Sequence, residues 1–292
     1  MNNLHKHFYL FLLVSTYFFG MEEPHTISKK NQLLVKQTET ASGGADVFKL
    51  LVAIGAIASS LANVKWCINT LAPRDNVGKL RIAQKLNATE WLSEYLNTEQ
   101  GFSEVIKTLR EAIQYNDVPL GAFLLNSHSF KLANARTEIS GRQRSFVDYC
   151  VEKDRPEILS LLLQAGAEPG DQDQTNPILM NAVCGLHLEC VRLLLVEGFS
   201  EPNSMQTDPH LPAQSGNTAL HYNSLNLEAI NDSRLVSRIT IARHLIDHGA
   251  DRTLKNVKGK TPIDLADPNN KGGNKGQLKQ FLLTYNPKKK IA

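Results

Sequence analysis

Three segments of this chain share one pattern, a leucine-rich stretch running into Gly-Ala or a near variant. They are Leu161-Leu162-Leu163-Gln164-Ala165-Gly166-Ala167, Leu193-Leu194-Leu195-Val196-Glu197-Gly198-Phe199 and His244-Leu245-Ile246-Asp247-His248-Gly249-Ala250, and the first two lie 32 residues apart. Repetition at that period marks stacked supersecondary units rather than one closed globule. Each unit has an apolar face it cannot bury alone, so neighbouring units must cover it. Surfaces for partners are the usual product of such an arrangement, and this bounds every functional reading.

The residues between these segments define the unit. Phe146, Val147, Cys150 and Val151 have helical spacing, and Ser145 is a good N-cap for them. Lys153-Asp154-Arg155-Pro156 breaks the run, and Pro156 sits early in a second helix, where its missing N–H costs little. That helix carries Ile158, Leu159, Leu161, Leu162 and Leu163, and Gly166 ends it as a C-cap. Ile178, Leu179, Ala182 and Val183, then Leu188 to Leu195, repeat the pair up to Gly198. A third unit opens at Gly216 and closes with Ile239, Ile241, Ala242, Leu245 and Ile246, and a fourth opens at Gly259.

Gly259-Lys260-Thr261-Pro262-Ile263-Asp264-Leu265-Ala266 and Gly216-Asn217-Thr218-Ala219-Leu220-His221 resemble the G-x-T-P-L-H-x-A opening of ankyrin repeats. His187 to Leu195 resembles the second helix of that family, and His248-Gly249-Ala250-Asp251 resembles its exit. The resemblance covers roughly Gly141 to Tyr285. It implies an all-α solenoid of stacked helix-turn-helix units with extended loops. A more degenerate unit precedes it, with Leu109, Ala112 and Ile113 in a first helix and Val118, Leu120, Phe123, Leu124 and Leu125 in a second. There His128 replaces the terminal Gly, and Asn134 falls where ankyrin loops often carry Asn.

Some positions depart from the family pattern. Phe146 and Ile178 stand where Pro is usual, and Asp154 and Leu186 where the helix-connecting Gly is usual. The link from Gly198 to Gly216 is about eight residues longer than the family norm and contains Pro202, Pro209 and Pro212, which predicts an exposed loop. About ten further residues around Leu225–Leu235 either extend the helices of the third unit or form a protruding loop on one face of the array. Lys79–Leu96 reads as a helix, Asp267–Gly276 as an irregular linker, and Gly276–Leu283 as the last helix before Pro287.

Ahead of the repeats, a weakly basic start leads into the uncharged stretch Phe8–Gly20, closed by Glu22, Glu23 and Pro24. This is the layout of a secretory signal peptide, and the stretch is short for a membrane-spanning helix. An exported protein follows, secreted, periplasmic or delivered to a host cell. Val47–Ile68 is a second apolar segment, with Lys49 and Lys65 bracketing an uncharged core. It reads either as a buried or self-associating helix or as a membrane anchor. The organisation expected is thus a signal-like 1–21, a flexible linker 22–46, the apolar helix 47–68, a helical cap or degenerate repeat 77–107, a degenerate repeat 108–140, four repeats over 141–285, and a basic tail 286–292.

No constellation for catalysis, cofactor or metal emerges. His244 and His248 share a helix face, but a metalloprotease helix needs Glu after the first His, and Leu245 stands there. No phosphate-cradling glycine loop and no nucleophile elbow is present. Cys67, Cys150, Cys184 and Cys190 form no CxxC pair; Cys150 and Cys190 occupy packing slots, and Cys184 sits near a helix end. A net charge of +3 is too small to argue for nucleic acid. The ankyrin resemblance instead implies a protein partner bound by first-helix ends and loop tips. On this chain those are Glu152, Lys153, Cys184, Gly185, Leu225 and Asn226 at helix ends, and Arg142, Arg144, Asp171, Gln172, Asp173, Lys255, Asn256, Lys258 and Lys260 at loop tips. Partner identity and oligomeric state are not readable from the residues.

Overall fold

The computed structural model describes residues 64, 65, 68, 76–126, 129–139, 141–168, 178–207, 215–225, 232–266 and 273–287. By compactness the chain separates into Met1–Val64 and Lys65–Ala292. The expected signal-like segment, the linker and nearly all of the apolar segment 47–68 lie outside the described residues. Of that segment, Lys65 forms an ion pair with Glu94 and Ile68 is fully buried. Among the described residues no helix is long and apolar enough to cross a membrane.

The second unit is built from helices in chain order: α1 (Asn76–Lys85), α2 (Thr89–Leu96), α3 (Glu99–Tyr115), α4 (Val118–Leu125) and α5 (Ser129–Ala133), then the strands β1 (Arg136–Ile139) and β2 (Arg142–Ser145). There follow α6 (Phe146–Lys153), α7 (Pro156–Gln164), α8 (Ile178–Gly185), α9 (Leu188–Val196), α10 (Ala219–Ser224), α11 (Asp232–Asp247), α12 (Pro262–Ala266) and α13 (Gly273–Thr284). The helices stack in two columns. The first helix of each pair packs on the next first helix, α3 on α6, α6 on α8, α8 on α10 and α10 on α12. The second helices do the same, α4 on α7, α7 on α9, α9 on α11 and α11 on α13.

Between the columns lies a continuous apolar core. Leu109, Ile113, Phe146, Val147, Leu179, Val183 and Leu220 face it from the first helices, and Leu124, Ile158, Leu162, Val191, Leu194 and Leu245 from the second; all are buried. Each such Leu or Ile contributes roughly 1.5–3 kcal/mol by leaving water. Because every pair shares its core with the next, that energy belongs to the stack and not to single units.

Seven helix exits among the described residues use one backbone device, that of α1 at Asn87 included. After α3, α6 and α8 the chain turns through left-handed residues Asn116 (φ 56), Asp154 (φ 52) and Leu186 (φ 61). The amides that follow reach back five residues, Asp117 N–H to Ala112 O, Arg155 N–H to Cys150 O and His187 N–H to Ala182 O. Gly166, Gly198 and Gly249 end α7, α9 and α11 in the same way, so the last carbonyls of each helix find donors. Ser145, Thr218 and Thr261 start first helices: the Ser145 hydroxyl accepts the Asp148 N–H at 3.0 Å and the Thr261 hydroxyl the Asp264 N–H at 3.2 Å.

The structure departs from the sequence reading in four places. The helix expected over Lys79–Leu96 is two helices, because Asn87 (φ 49) turns left-handed and the Ala88 N–H closes on the Ala83 carbonyl. The boundary expected at 107/108 falls inside α3, which runs unbroken from Glu99 to Tyr115. The extended loop before α6 is an antiparallel hairpin, with Thr137 opposite Arg144 and Ile139 opposite Arg142. The linker expected up to Gly276 gives way to helix at Gly273. Part of the insertion around Leu225–Leu235 lengthens α11, which begins at Asp232.

Candidate functional site

The loop tips and the ends of the first helices lie along one edge of the stack, and they hold most of the residues singled out in the sequence. Arg142 and Arg144 alternate along β2, so both project from the same side of the hairpin. Arg142 is exposed. Arg144 Nη1 meets Glu152 Oε2 at 2.5 Å, and Lys153 Nζ meets Glu152 Oε1 at 3.2 Å. Lys153 also lies over the Tyr149 ring, 5.5 Å from its centroid. The structure therefore gathers Arg144, Glu152 and Lys153 into one charged cluster, and Glu152 neutralises part of it. Solvent screens such exposed pairs, so they add little to stability.

Cys184 is exposed at the end of α8. Next to it, Gly185 is constrained by space: a Cβ there would lie 2.1 Å from His187 Nε2. Leu225 is half-buried and caps α10. Asp171, Gln172, Asp173 and Asn226 lie outside the described residues.

The turn after the third unit is held by a hydrogen-bond network. Asn256 organises it: its Oδ1 accepts the N–H groups of Lys258 and Lys260, both at 3.0 Å, and its Nδ2 donates to Asn217 Oδ1 at 2.9 Å. Asn256 is only 7% exposed. Its buried side chain pins the turn. A buried amide with every group engaged is the arrangement expected when backbone donors would otherwise be stranded. From below, His221 Nδ1 accepts the Thr218 N–H at 3.1 Å, so its proton sits on Nε2, which donates to the Lys260 carbonyl at 3.1 Å. Burial pushes the His221 pKa down, more than its bond to the Lys260 carbonyl raises it. Lys255, Lys258 and Lys260 all point into solvent from this frame. Between them Val257 is 62% exposed. Sequence reasoning passed over Val257, although an apolar residue among lysines in a loop was the available signal.

A Cys–Asp–His cluster where the exit of α6 meets the start of α9 invites a chemical reading. Asp154 Oδ2 is 3.4 Å from His187 Nδ1, and Cys190 Sγ donates to Asp154 Oδ1 at 3.6 Å. Cys190 is fully buried. Burial and the adjoining Asp154 carboxylate push its thiol up to about 12, whereas a nucleophilic cysteine needs the opposite shift. The cluster links the α6 exit to the start of α9. Among the described residues no group of three or more His, Cys, Asp or Glu side chains could hold a metal ion.

Residues 147–256 match the family model for ankyrin repeats, in three copies. Over that stretch the chain is built of ankyrin repeats. The matched repeats correspond to the helix pairs α6–α7, α8–α9 and α10–α11. A solved structure described as an ankyrin repeat protein, EF0377, is similar to 73% of this chain and all of its own at 21% identity, with a TM-score of 0.49. No curated protein matches the chain in sequence.

Proposed function

We propose that this ankyrin-repeat protein is a non-catalytic scaffold whose protein partner docks on the edge formed by the loop tips and first-helix ends. One observation carries the reading. The helix faces between the columns are consumed by packing, while Arg142, Lys255, Lys258 and Lys260 stand exposed on ordered tips. Side chains held out on a rigid frame bind without a large ordering cost. Among the described residues the Cys190–Asp154–His187 cluster does not favour nucleophilic chemistry, because its thiol is buried and held protonated.

A photo-crosslinking side chain placed in the full chain at Arg142 or Lys258, compared with one at Arg192 on the opposite column, tests this. The reading expects a native partner to be captured from the tips and not from Arg192. Capture from Arg192 alone removes the assigned face.

The signal-like start supports export, with residues 1–21 removed. N-terminal sequencing of the mature protein from its native cell decides it, and a mature chain that keeps Met1 excludes cleavage. The lysine-bracketed apolar segment Val47–Ile68 favours a second reading, a membrane-anchored adaptor. Full release by carbonate extraction would dismiss that one.

A further inference from the structure

We propose that the turn Lys255–Lys260 recognises an acidic peptide segment of a protein partner, with Val257 receiving an apolar side chain of that segment; this rests on the scaffold reading above. Lys255, Lys258 and Lys260 are exposed, and among the described residues none of them makes an ion pair within 4.0 Å. The carboxylate beside them is Asp264, and it is already engaged. Its Oδ2 accepts the Thr261 N–H and hydroxyl, each at 2.9 Å, as the cap of α12. The neighbouring Arg252 is likewise committed, donating to the Leu282 and Tyr285 carbonyls at 2.8 Å. Three ammonium groups therefore face solvent without a close ion-pair partner, and the single Asp264 charge offsets only part of that of Lys255 and Lys260; the remaining positive charge attracts a carboxylate-rich partner and speeds its approach.

The frame under these lysines is stiff. Besides the Asn256 pin, the Asn256 N–H donates to the Lys260 carbonyl at 3.0 Å and the Gly259 N–H to the Asn256 carbonyl at 2.8 Å. The tip also joins the preceding one, since the Val257 N–H donates to the Ser215 carbonyl at 3.2 Å. A Cβ on Gly216 would sit 3.1 Å from the Val257 nitrogen, so the two backbones touch. Gln206 pairs with Gly216 and Asn217 on the far side, and Met205 beside it is 39% exposed. Met205 and Val257 are thus the exposed large apolar side chains on the joined tips among the described residues. A segment carrying carboxylates and an apolar side chain finds a counterpart for each on these joined tips. The turn offers no aromatic or arginine plane for stacking bases, and one valine is little to insert into a bilayer. These features favour a peptide over a nucleic acid or a lipid surface.

The probe is a fluorescein-labelled glutamate-rich peptide bearing one central leucine, titrated with the full chain and read by fluorescence anisotropy. Binding is expected to weaken with added salt, and to fall by about tenfold or more in the triple variant Lys255→Glu, Lys258→Glu, Lys260→Glu. Replacing the peptide's leucine by serine, or Val257→Ser in the chain, should each weaken binding by about threefold to tenfold. The thermal melt of each variant checks that the stack is intact. Equal binding by the triple variant overturns the proposal. So does binding of phosphatidylserine vesicles or duplex DNA without binding of the peptide. If a native partner crosslinks at Arg142 while the peptide ignores this turn, the inference fails and the scaffold reading stands.

Discussion

The side chain of Asn134 donates from Nδ2 to the Gly166 carbonyl at 3.0 Å, and its Oδ1 accepts the Glu168 N–H at 2.8 Å. Asn203 repeats the arrangement on the Gly249 carbonyl (2.9 Å) and the Asp251 N–H (2.8 Å). One amide thus ties the loop of a repeat to the helix exit of the next, at the carbonyl of the very glycine that turns left-handed. Asn134→Ala and Asn203→Ala should each lower stability by roughly 0.5–1.5 kcal/mol, since two bonds across the repeats are lost, and at Asn134 also one to the Phe130 carbonyl, but water reaches the freed groups. Urea unfolding measures it, and unchanged midpoints in both variants would mean that the loops are held by something else.

Two helical glycines should respond in opposite directions to the same substitution. A Cβ on Gly101 would lie 2.1 Å from the Tyr95 carbonyl oxygen and 2.6 Å from Thr98 Oγ1. This glycine lets the first turn of α3 press against the end of α2. Gly101→Ala should destabilise by about 1–3 kcal/mol, because backbone must move to make room. A Cβ on Gly276 in α13 meets nothing within 4 Å, so Gly276→Ala should stabilise by up to ~1 kcal/mol through helix propensity. Thermal melts of the two variants read both signs, and a gain at Gly101 would refute the close approach.

Much of the stack was legible because its signals are local. The leucine spacing of α7 and α9, the Ser145 cap, Pro156 at the start of α7 and the exits at Gly166 and Gly198 all act within one or two turns of helix. Asn134 was legible only through its place in the family pattern. What escaped depends on distant or ambiguous residues. Asn87 breaks a helix without a Gly or Pro to announce it. Asn256 looks like an ordinary loop residue until Asn217, 39 positions earlier, comes to meet its amide. Arg238 belongs to the same class: it is 8% exposed, and its guanidinium donates to the Asn223 carbonyl at 2.5 Å at the end of α10. A buried cation serving helix carbonyls leaves no sequence mark that separates it from a surface arginine.

Leu186 occupies a left-handed position at φ 61 while only half-buried. A side chain there crowds its own carbonyl at about 1–2 kcal/mol, and glycine's extra freedom in the unfolded chain offsets part of the relief. Leu186→Gly should therefore raise stability by ~0.5–1 kcal/mol. Asp154 holds the equivalent exit at φ 52 but also contacts His187 and Cys190, so Asp154→Gly should show no such gain. The urea midpoints of the two variants decide the matter. A loss at Leu186 would place its value in packing and not in the turn.

The pH dependence of folding should carry the mark of His221. Its ring is buried, its Nδ1 must stay unprotonated to accept the Thr218 N–H, and burial lowers its pKa below the ordinary 6.5. In the unfolded chain the ring takes up a proton once pH drops below about 6.5, whereas in the folded chain it resists until the lower value is reached. The unfolded state then binds more protons, so this contribution is fully present above pH 6.5 and is lost as pH falls toward the folded pKa. His244 is shifted in the same direction, mainly by burial, and adds to the slope. The depressed carboxyls of Asp251 and Asp264 act in a separate, more acidic window below the ordinary 3.8. His221→Asn should lower stability at neutral pH and flatten the fall below about pH 6.5. It should also loosen the turn at Lys260, whose carbonyl the ring holds. Amide hydrogen exchange at Lys258 and Lys260 reads that loosening directly. A variant that keeps the wild-type slope would show that other groups set the acid limb.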